Sequence, residues 1–448
     1  MTTADRLTTR YLIVGISAGG IGAAEAIREV DKSSPVTIVS DEPYLSYSRP
    51  LISKYLSREQ TFDQMLFRPR DFYDENDLIP LLGKKVTSLG LGQRTAELDS
   101  GERITWEKIL IASGGVPIIP QIAEIDKRGV FNFLTLDDAK AVDHLLGEAD
   151  DAAKAIVIGG GLIGIGVAEA LIGRGVEVTV VELKERILNT ILDTQASLLV
   201  EEAIQKAGVR IITDHTVAEL LGKEQVTGVV LDDGDKIPCS LLVIAIGVLP
   251  RTELVKGTDI AVNRGILVDR GMDTSHPDVY ACGDAAEAYD FIYGTNRLTP
   301  IWPNAYIGGR IAGHNMAGLR AEYPACTAMN SLNYFGLDIA AAGMPTPPDD
   351  ECEVLSKQNG FMYRKLILRD DHLVGLVFVG ETEKSGIIFG LMRDQVNVGA
   401  FKHTLLSDDL GLSSLPREIW QELLGTPAPG SILELPTSSE DAGYFAGE

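Results

Sequence analysis

The stretch AIVIGGGLIGIGVAEALIGRGVEVTVVEL, residues 155–183, joins an apolar run to a glycine-rich turn and then to apolar residues at helical spacing. Gly159, Gly161 and Gly164 form a complete GxGxxG pattern, and a second apolar run leads to Glu182. A strand, a tight turn and a helix in this order bring backbone N–H groups and the positive end of the helix dipole to a pyrophosphate. The stretch therefore predicts a parallel α/β unit that binds a dinucleotide.

Glu182 gives the predicted site its cofactor preference. A carboxylate at the end of the second strand accepts hydrogen bonds from the adenosine ribose hydroxyls and repels a 2′-phosphate. The sequence therefore favours NAD(H) over NADP(H). Lys184 and Arg186 follow closely, and their charges leave room for the opposite preference.

The same pattern occurs once earlier, in YLIVGISAGGIGAAEAIREV, residues 11–30. Gly15 and Gly20 stand at its ends, but Ser17 replaces the middle glycine, which weakens the fingerprint. The next strand leads to Asp41 and Glu42. One such turn is weak evidence, because a glycine-rich turn can also bind nothing. Two copies, each with strand, glycines, helix, strand and acid in order, predict two dinucleotide sites.

The composition is that of a globular protein with several cores. The chain has 448 residues, 45% hydrophobic and 23% charged, which indicates two or three domains. A formal net charge of −24 without a basic run opposes nucleic-acid binding, because a phosphate backbone needs clustered Lys and Arg. The apolar residues 155–172 include Glu169 and several glycines, and the N-terminus lacks a basic start and a cleavage site. We expect a cytoplasmic protein without a membrane span, anchor or export signal.

The sulfur and imidazole side chains show no metal-binding spacing. Cys239, Cys282, Cys326 and Cys352 form no CxxC or CxxxxC pair, and the six histidines include no HExxH motif. This spacing supports neither a redox disulfide nor a locally built iron–sulfur or zinc site. We therefore expect no metal.

Four further motifs follow a fixed order: SDEPYLSYSRPLISK (40–54), ILIASGG (109–115), AIGVLP (245–250) and TSHPDVYACGDAAE (274–287). With the two glycine turns, they resemble the pyridine nucleotide-disulfide oxidoreductase-like flavoproteins. The resembling branch contains rubredoxin reductase, ferredoxin reductases of oxygenase systems and NADH-dependent nitrite-reductase-like flavoproteins, without redox cysteines. The resemblance implies FAD and NAD(H) as cofactors. It also implies an α/β fold with two Rossmann-like domains, the FAD domain being discontinuous, and a C-terminal α+β interface domain.

The resemblance also implies the domain limits. They are residues 1–118 and 250–325 for FAD, 119–249 for NAD, 326–424 for the interface domain and 425–448 for a tail. FMYRKLILRDDHLVGLVFVGE (361–381) predicts alternating strands joined by an Asp-Asp turn, and KSGIIFGLMRDQV (384–396) predicts an amphipathic helix. The tail has three prolines, four acids and no base, which predicts flexibility.

By resemblance, Asp41 and Glu42 hold the FAD ribose, Arg49 frames the phosphates, and Lys54 approaches flavin N5. Each residue type suits its role, since an ammonium stabilises negative charge on the reduced ring and guanidinium binds phosphate oxygens. Lys54 is the candidate catalytic residue. The predicted FAD contacts are Gly15, Ser17, Ala18, Gly19, Gly20, Asp41, Glu42, Arg49, Lys54, Val86, Ala112, Ser113, Gly114, Gly283, Asp284 and Trp302. The predicted NAD contacts are Gly159, Gly161, Leu162, Ile163, Gly164, Glu182 and Gly247.

Besides Ser17, two positions depart from the family pattern. Many relatives carry an acid that pairs with the lysine near N5, and that position falls on Gly166, which would leave Lys54 without a partner. An arginine found before TLDDA in relatives is replaced by Leu134. A helix is predicted from about Asn304. The resemblance implies that its N-terminus points at the flavin pyrimidine edge. Trp302 either shields the ring or is an ordinary core tryptophan.

Relatives that use thiol chemistry place a cysteine where this chain has Pro50. Electrons are therefore expected to leave the flavin directly, after hydride transfer between nicotinamide C4 and flavin N5. We predict an FAD-dependent NADH:acceptor oxidoreductase whose partner is an iron–sulfur protein or subunit. A self-contained NADH oxidase or dehydrogenase using quinone or oxygen is one alternative, and a flavoprotein scaffold or redox-sensing module is another. Homo-oligomers and hetero-complexes are both compatible with the sequence.

Overall fold

The structure is a computed structural model that describes residues 6–148, 153–323, 326–411 and 414–416. Within these ranges the chain alternates strands and helices before ending in an antiparallel sheet. The predicted flexible tail, and residues 417–424 of the predicted interface domain, lie outside the described residues.

The first part of the chain forms a strand–helix–strand unit followed by short helices and a β-meander. Its elements are β1 (Arg6–Val14), α1 (Ala18–Val30), β2 (Val36–Ser40), α2 (Ile52–Leu56), α3 (Phe62–Met65), α4 (Phe72–Glu75), β3 (Leu78–Leu82), β4 (Val86–Gly90), β5 (Thr95–Leu98), β6 (Arg103–Ile111) and β7 (Gly115–Pro117). A 3-10 turn, Arg49–Leu51, precedes α2 directly.

The middle part repeats this order of elements. It contains β8 (Val130–Asn132), α5 (Leu136–Glu148), β9 (Lys154–Ile158), α6 (Leu162–Gly173), β10 (Glu177–Val181), α7 (Thr194–Lys206), β11 (Arg210–Ile212), β12 (Val217–Leu221), β13 (Gly228–Leu231), β14 (Lys236–Pro238), β15 (Leu241–Ile244) and β16 (Val248–Pro250).

The last part completes the first sheet and adds an antiparallel one. It contains β17 (Ile266–Leu267), β18 (Val279–Ala281), β19 (Ala286–Asp290), β20 (Thr295–Arg297), α8 (Trp302–Met316), β21 (Met329–Tyr334), β22 (Leu337–Gly343), β23 (Glu353–Asn359), β24 (Met362–Arg369), β25 (His372–Val379) and α9 (Ser385–Arg393). Short 3-10 turns lie at Glu253–Val255, Gly283–Ala285 and Lys402–Thr404.

Two sheets have the same parallel core. The first has the order β3-β2-β1-β6, with β18 beside the end of β6, and the second has the order β11-β10-β9-β15-β8. In each, the strand before the glycine turn is central, and β2 and most of β10 are buried along their length. The second sheet packs on helices with one face and on β12, β13 and β14 with the other. Strands covered on both faces are rich in Val and Ile, as VTIVS and EVTVV are.

The chain leaves the first sheet through β7 and returns through β16, and these two strands pair antiparallel, with Val116 opposite Leu249. One apolar core therefore combines side chains before residue 112 with side chains after residue 254. The predicted discontinuous α/β fold is confirmed by this arrangement.

α1 and α8 pack so closely that their backbones touch. A Cβ added at Gly309 would lie 2.0 Å from the Gly19 carbonyl oxygen, and one at Gly313 would lie 2.4 Å from that of Ala23. The predicted helix near residue 304 is confirmed, although it begins at Trp302. Its first turn therefore lies against the helix that follows the first glycine turn.

The predicted hairpin at 361–381 is β24 and β25, which turn at Asp370 and Asp371 with φ of 49° and 58°. The expected alternation is wrong, because residues 363–368 are buried without interruption. At β24 and β25, one face of the sheet packs on α9 and the other on the second parallel unit, so both faces of these two strands are covered. The predicted amphipathic helix is α9.

The apolar segment 155–172 forms β9 and most of α6 inside the second parallel unit. Among the described residues, no helix combines the length and the apolar character that crossing a membrane requires.

Candidate functional site

The first glycine turn cannot be built without glycine at its two ends. Gly15 has φ of +116°, and a Cβ there would lie 2.1 Å from the Ala112 carbonyl oxygen. A Cβ at Gly20 would lie 1.9 Å from the Gly15 carbonyl oxygen. The turn is therefore closed onto its neighbouring strand, and α1 begins immediately behind it.

The second turn repeats this geometry. Gly159 has φ of +105°, and its Cβ would lie 2.4 Å from the Ala245 carbonyl oxygen, while a Cβ at Gly164 would lie 1.9 Å from the Gly159 oxygen. The strands are locked in the same way, since the Ala112 and Ala245 amides donate to Val14 and Ile158 oxygens at 2.8 Å each. The first and last glycines of each turn are therefore required by the backbone packing of the fold, whether or not a ligand binds.

The middle position of each turn faces outwards. Gly161 is the N-cap of α6, and a Cβ there would have no described heavy atom within 4 Å. The space in front of it is the place where a pyrophosphate approaches the helix N-terminus. Ser17 is the N-cap of α1, and its side chain makes no capping hydrogen bond. Both turns therefore fit a dinucleotide.

A cavity of about 330 Å³ opens at the carboxyl end of the first sheet. It brings together four predicted FAD residues, Gly15, Asp41, Val86 and Ser113. Residues that the sequence did not indicate also line it: Ser40, Lys84, Lys85, Thr87, Val116, Arg251, Glu253 and Leu254. Ligands of open α/β sheets bind at this edge, so the cavity agrees with the predicted FAD position.

Arg251 is the most informative of the missed residues. Its Nη1 lies 2.6 Å from Asp41 Oδ2, although 210 positions separate them in sequence. Arg251 follows β16 directly, so the segment that returns from the second unit closes the cavity of the first. A base immediately after the AIGVLP motif was the signal available in the sequence.

Glu42 and Arg49 form an ion pair instead of facing separate groups. Arg49 contacts the Glu42 carboxylate and donates to the Leu134 carbonyl at 3.2 Å. Tyr47 donates to Glu42 at 2.6 Å and accepts from the Leu136 amide at 3.0 Å. The backbone carbonyl of Leu134, the position where the resemblance leads us to expect an arginine, is therefore held by Arg49 from the SRPLISK segment.

Gly283 and Asp284 follow β18 and lie beside the first turn of α8. Burial raises the pKa of Asp284, and the charge of Arg49 acts in the opposite direction. No hydrogen bond to its carboxylate is made by the described residues, so it fits a ligand hydroxyl. Trp302 is half-buried and meets Phe67 edge to face, with ring centroids 5.0 Å apart. Of the remaining predicted FAD residues, Ala18 and Gly19 begin α1, and Ala112 and Gly114 lie in the β6–β7 connection.

Lys54 lies on α2, directly against the second unit. Its Nζ is 3.0 Å from Glu59 Oε2 and 3.9 Å from Glu169 Oε2. The expectation that Gly166 leaves Lys54 without a carboxylate is wrong, because Glu169 occupies the same face of α6 one turn later. Glu169 was the visible signal, since it is the only acid in that helix.

Glu182 is 8% exposed at the end of β10. Its Oε2 accepts from the Gly160 amide at 2.6 Å, and its Oε1 accepts from the Lys184 amide at 2.8 Å. The carboxylate is thus fixed beside the second glycine turn, where an adenosine ribose is expected. Leu162 and Ile163 begin α6, and Gly247 follows β15 and accepts from Ile118 at 3.0 Å.

Three thiols are unsuited to redox relay. Burial raises the pKa of Cys239, Cys282 and Cys326 to about 12. Each therefore stays protonated near neutral pH, whereas the thiolate is the reactive form. Cys282 adjoins Gly283 but is enclosed between α1 and α8.

One group among the described residues could hold a cation, and it lies on the surface: His215, Asp232 and Asp233. The His215 Nδ1 is 2.9 Å from Asp232, and its Nε2 is 3.6 Å from Asp233. The hydrogen bond to Asp232 raises the pKa of His215. These contacts are satisfied within the group, which is an exposed ion-pair cluster.

Comparison with known proteins agrees with this geometry. Residues 9–309 match the family described as pyridine nucleotide-disulphide oxidoreductase, and the chain belongs to that family. Residues 329–396 match the rubredoxin NAD+ reductase C-terminal domain.

Individual relatives cover most of the chain. The NADH-dependent phenylglyoxylate dehydrogenase subunit epsilon of Aromatoleum evansii is 30% identical over 419 residues, which are 92% of this chain and 98% of the relative. The NAD(P)H nitrite reductase of Bacillus subtilis is 29% identical over 87% of this chain, which spans only 48% of that relative. The crystal structure of NADH:rubredoxin oxidoreductase from Clostridium acetobutylicum has a TM-score of 0.72 and 27% identity, covering 88% of this chain and 97% of that one.

The predicted family, fold class and cofactors are confirmed, since members of this family use FAD and NAD(H). The predicted enzyme class is confirmed too: this is a flavin-dependent NADH oxidoreductase.

Proposed function

We propose that the enzyme carries electrons between NAD(H) and a one-electron iron–sulfur acceptor, which is either a small separate protein or a partner subunit. The main support for this proposal is the contact between α2 and α6. Arg174 donates to the Leu56 carbonyl at 2.8 Å, and Lys54 reaches Glu169 at 3.9 Å. Helix α6, which begins at the second glycine turn, therefore borders helix α2, which lies in the same parallel unit as the first glycine turn.

The α2–α6 contact supports a position for the two proposed cofactor sites on either side of one shared wall. FAD, when bound, would supply the conversion between a two-electron hydride donor and single-electron transfer, which a nicotinamide cannot provide. The protein contributes alignment, because α2 and α6 fix the relative position of the two sites. Lys54 supplies a positive charge at that wall, which supports its candidate role beside the flavin.

The choice of acceptor rests on two observations. The buried, protonated thiols offer no relay within the described residues. The relative from Aromatoleum evansii is a subunit of a larger dehydrogenase, and the C-terminal sheet matches a domain named for rubredoxin reductase. An acceptor supplied by another polypeptide is consistent with both.

The individual assignments belong to the same proposal. FAD is assigned to the residues around β1–α1, β2, β6 and β18, and NAD(H) to those around β9–α6, β10 and β15. The limits 1–118 with 250–325, 119–249 and 326–424, the cytoplasmic location and the lack of a nucleic-acid partner also remain proposals.

Anaerobic stopped-flow spectroscopy of the FAD-loaded protein tests the function. We expect NADH to bleach the flavin band within a single mixing experiment, and oxidised rubredoxin or a [2Fe–2S] ferredoxin to restore it. A protein that keeps its flavin but is not bleached by NADH would contradict the proposal.

Oxygen and a soluble quinone are the competing acceptors in the same instrument. Recovery that is faster with either of them than with any iron–sulfur protein would favour a self-contained NADH oxidase or dehydrogenase. Gly161→Ala is the matched control. The added methyl group obstructs the proposed NAD(H) site and leaves the cavity at the first glycine turn unchanged, so this variant should keep its flavin and be bleached more weakly by NADH.

A further inference from the structure

Glu169 connects the flavin-side lysine to the C-terminal sheet. Its Oε2 lies 3.9 Å from Lys54 Nζ, while its Oε1 accepts from the Phe335 backbone amide at 2.6 Å. The two oxygens of one carboxylate therefore serve two different parts of the protein. The side chain is 23% exposed, so solvent screens it only partly.

Phe335 stands at the tip of the β21–β22 hairpin with φ of 51°. The preceding residue, Tyr334, donates its hydroxyl to the Leu162 carbonyl at 2.9 Å. Two hydrogen bonds thus attach this tip to α6, one at the start of the helix and one two turns later. The helix is the one that begins at the second glycine turn.

Position 166, where the resemblance places the acid, borders both α2 and the hairpin. A Cβ added at Gly166 would lie 3.7 Å from Ser53 Oγ and 3.7 Å from Tyr334 Cε1. Both distances are ordinary van der Waals contacts, so position 166 lies between Ser53 and the Tyr334 ring. The acid is displaced by one turn of α6, to a position that also reaches the hairpin.

Building on the proposed function, we propose that Glu169 is a positioning residue that couples the β21–β22 hairpin to the charge next to the flavin. When the hairpin tip is docked, the Phe335 amide holds the carboxylate away from close contact with Lys54. When the tip loosens, the carboxylate turns towards Lys54 and neutralises more of its positive charge. An acceptor that moves this hairpin would change the reduction potential of the flavin.

The signs follow from Coulomb's law, since a reduced flavin is stabilised by nearby positive charge. Glu169→Gln removes one negative charge and keeps an oxygen for the Phe335 amide, so the midpoint potential of bound FAD should rise. Tyr334→Phe removes one hairpin anchor and keeps the carboxylate, so the potential should fall.

The double variant Glu169→Gln/Tyr334→Phe tests whether the two residues are coupled. If they act through one mechanism, their effects on the midpoint potential are not additive. Tyr334→Phe should lower the potential in the wild-type background and leave it unchanged in the Glu169→Gln background. An equal effect in both backgrounds, or none in either, overturns the proposal. Glu59→Gln is the matched control: this side chain also pairs with Lys54, but its hydrogen-bond partner is Ser57 and not the hairpin, so its removal should preserve the Tyr334→Phe effect.

Amide exchange gives a readout that needs no electron transfer. In the full chain without nucleotide, Phe335 should exchange faster in Tyr334→Phe and Glu169→Ala, and at nearly the wild-type rate in Glu169→Gln. Unchanged amide exchange in Glu169→Ala would show that Glu169 does not protect the Phe335 amide, and this would overturn the proposal. NADH bleaching of the flavin is measured separately, so failure of the coupling leaves the proposed function standing.

Discussion

Asp193, the N-cap of α7, and Lys365, in β24, form a salt bridge of 2.7 Å in which only 9% of each side chain is exposed. The same Oδ2 accepts from the Tyr363 hydroxyl at 2.7 Å, and Oδ1 accepts from the Ala196 amide at 3.0 Å. One carboxylate therefore caps a helix of the second parallel unit and fastens the C-terminal sheet to it.

Asp193→Asn should be strongly destabilising, because it leaves the Lys365 ammonium buried without a carboxylate. Removing one partner of a buried pair costs about 3–5 kcal/mol, and we expect a loss of about 3 kcal/mol in urea unfolding at neutral pH. Glu202→Gln breaks an exposed pair with Lys206 and should cost less than about 1 kcal/mol. Equal losses in both variants would contradict the assigned role.

The same pair predicts a pH dependence. Burial alone would raise the pKa of Asp193, but hydrogen bonds from Lys365, Ala196 and Tyr363 outweigh it and hold the pKa below its ordinary 3.8. A lowered folded-state pKa stabilises the protein above the unfolded value, and this contribution disappears as the pH falls through the folded value. The stability difference between wild type and Asp193→Asn should therefore be constant above about pH 5 and shrink below about pH 4. A difference that grows on acidification would be inconsistent with this pair.

Gly161→Ala and Gly164→Ala test two different roles of glycine in the second glycine turn: room for a ligand at 161, and close packing of the backbone at 164. A Cβ at 161 meets no described heavy atom within 4 Å, whereas one at 164 lies 1.9 Å from the Gly159 oxygen. We expect Gly161→Ala to keep the melting temperature and to weaken NADH binding by about tenfold or more, equivalent to about 1.4 kcal/mol. Gly164→Ala should lower the melting temperature itself. Calorimetry and NADH titration distinguish the two, and the reverse pattern would place the nucleotide elsewhere.

Glu182→Gln should reduce the preference for NADH. The neutral amide no longer repels a 2′-phosphate, so the kcat/KM ratio of NADH to NADPH should fall by roughly tenfold. Because the side chain also holds the Gly160 and Lys184 amides, losing one acceptor should cost about 1 kcal/mol of stability. Steady-state kinetics with both nucleotides measure the ratio. An unchanged ratio would assign the discrimination to other groups, such as Lys184 and Arg186.

Thiol reagents provide a simple check on the direct electron path. Cys239, Cys282 and Cys326 are buried with pKa values of about 12, while Cys352 is partly exposed. In the native protein at pH 8 we expect a chromogenic disulfide to modify no more than Cys352, and in denaturant to modify all four cysteines. Loss of NADH-dependent flavin bleaching in Cys282→Ser, with FAD retained, would contradict a path free of thiols.

The repeated unit was predictable because its determinants are local. Gly15 and Gly20 are required by contacts within a few residues and one neighbouring strand, and so are Gly159 and Gly164. The acid after each second strand follows the same short-range logic. These features lie within about thirty residues of each other, which is the length of one βαβ unit.

The charge pairs were less predictable. Asp41 with Arg251 and Lys54 with Glu169 join segments far apart in the chain. Glu169 is the only acid in α6, but the local pattern does not show which basic side chain it meets, and its distance to Lys54 is known only from the packed structure. The alternation expected in β24 failed for the same reason, since two covering layers bury both faces.

The sequence by itself determined that this chain contains two strand–glycine–helix units, because a close backbone approach tolerates no side chain at those positions. It also determined that an acid follows the second strand of each unit. Only the tertiary structure decided which charged groups meet, because the packing of α2 against α6, and of the β21–β22 hairpin against α6, brings together side chains that no sequence spacing relates. The environment of Lys54 is therefore a property of the packed helices.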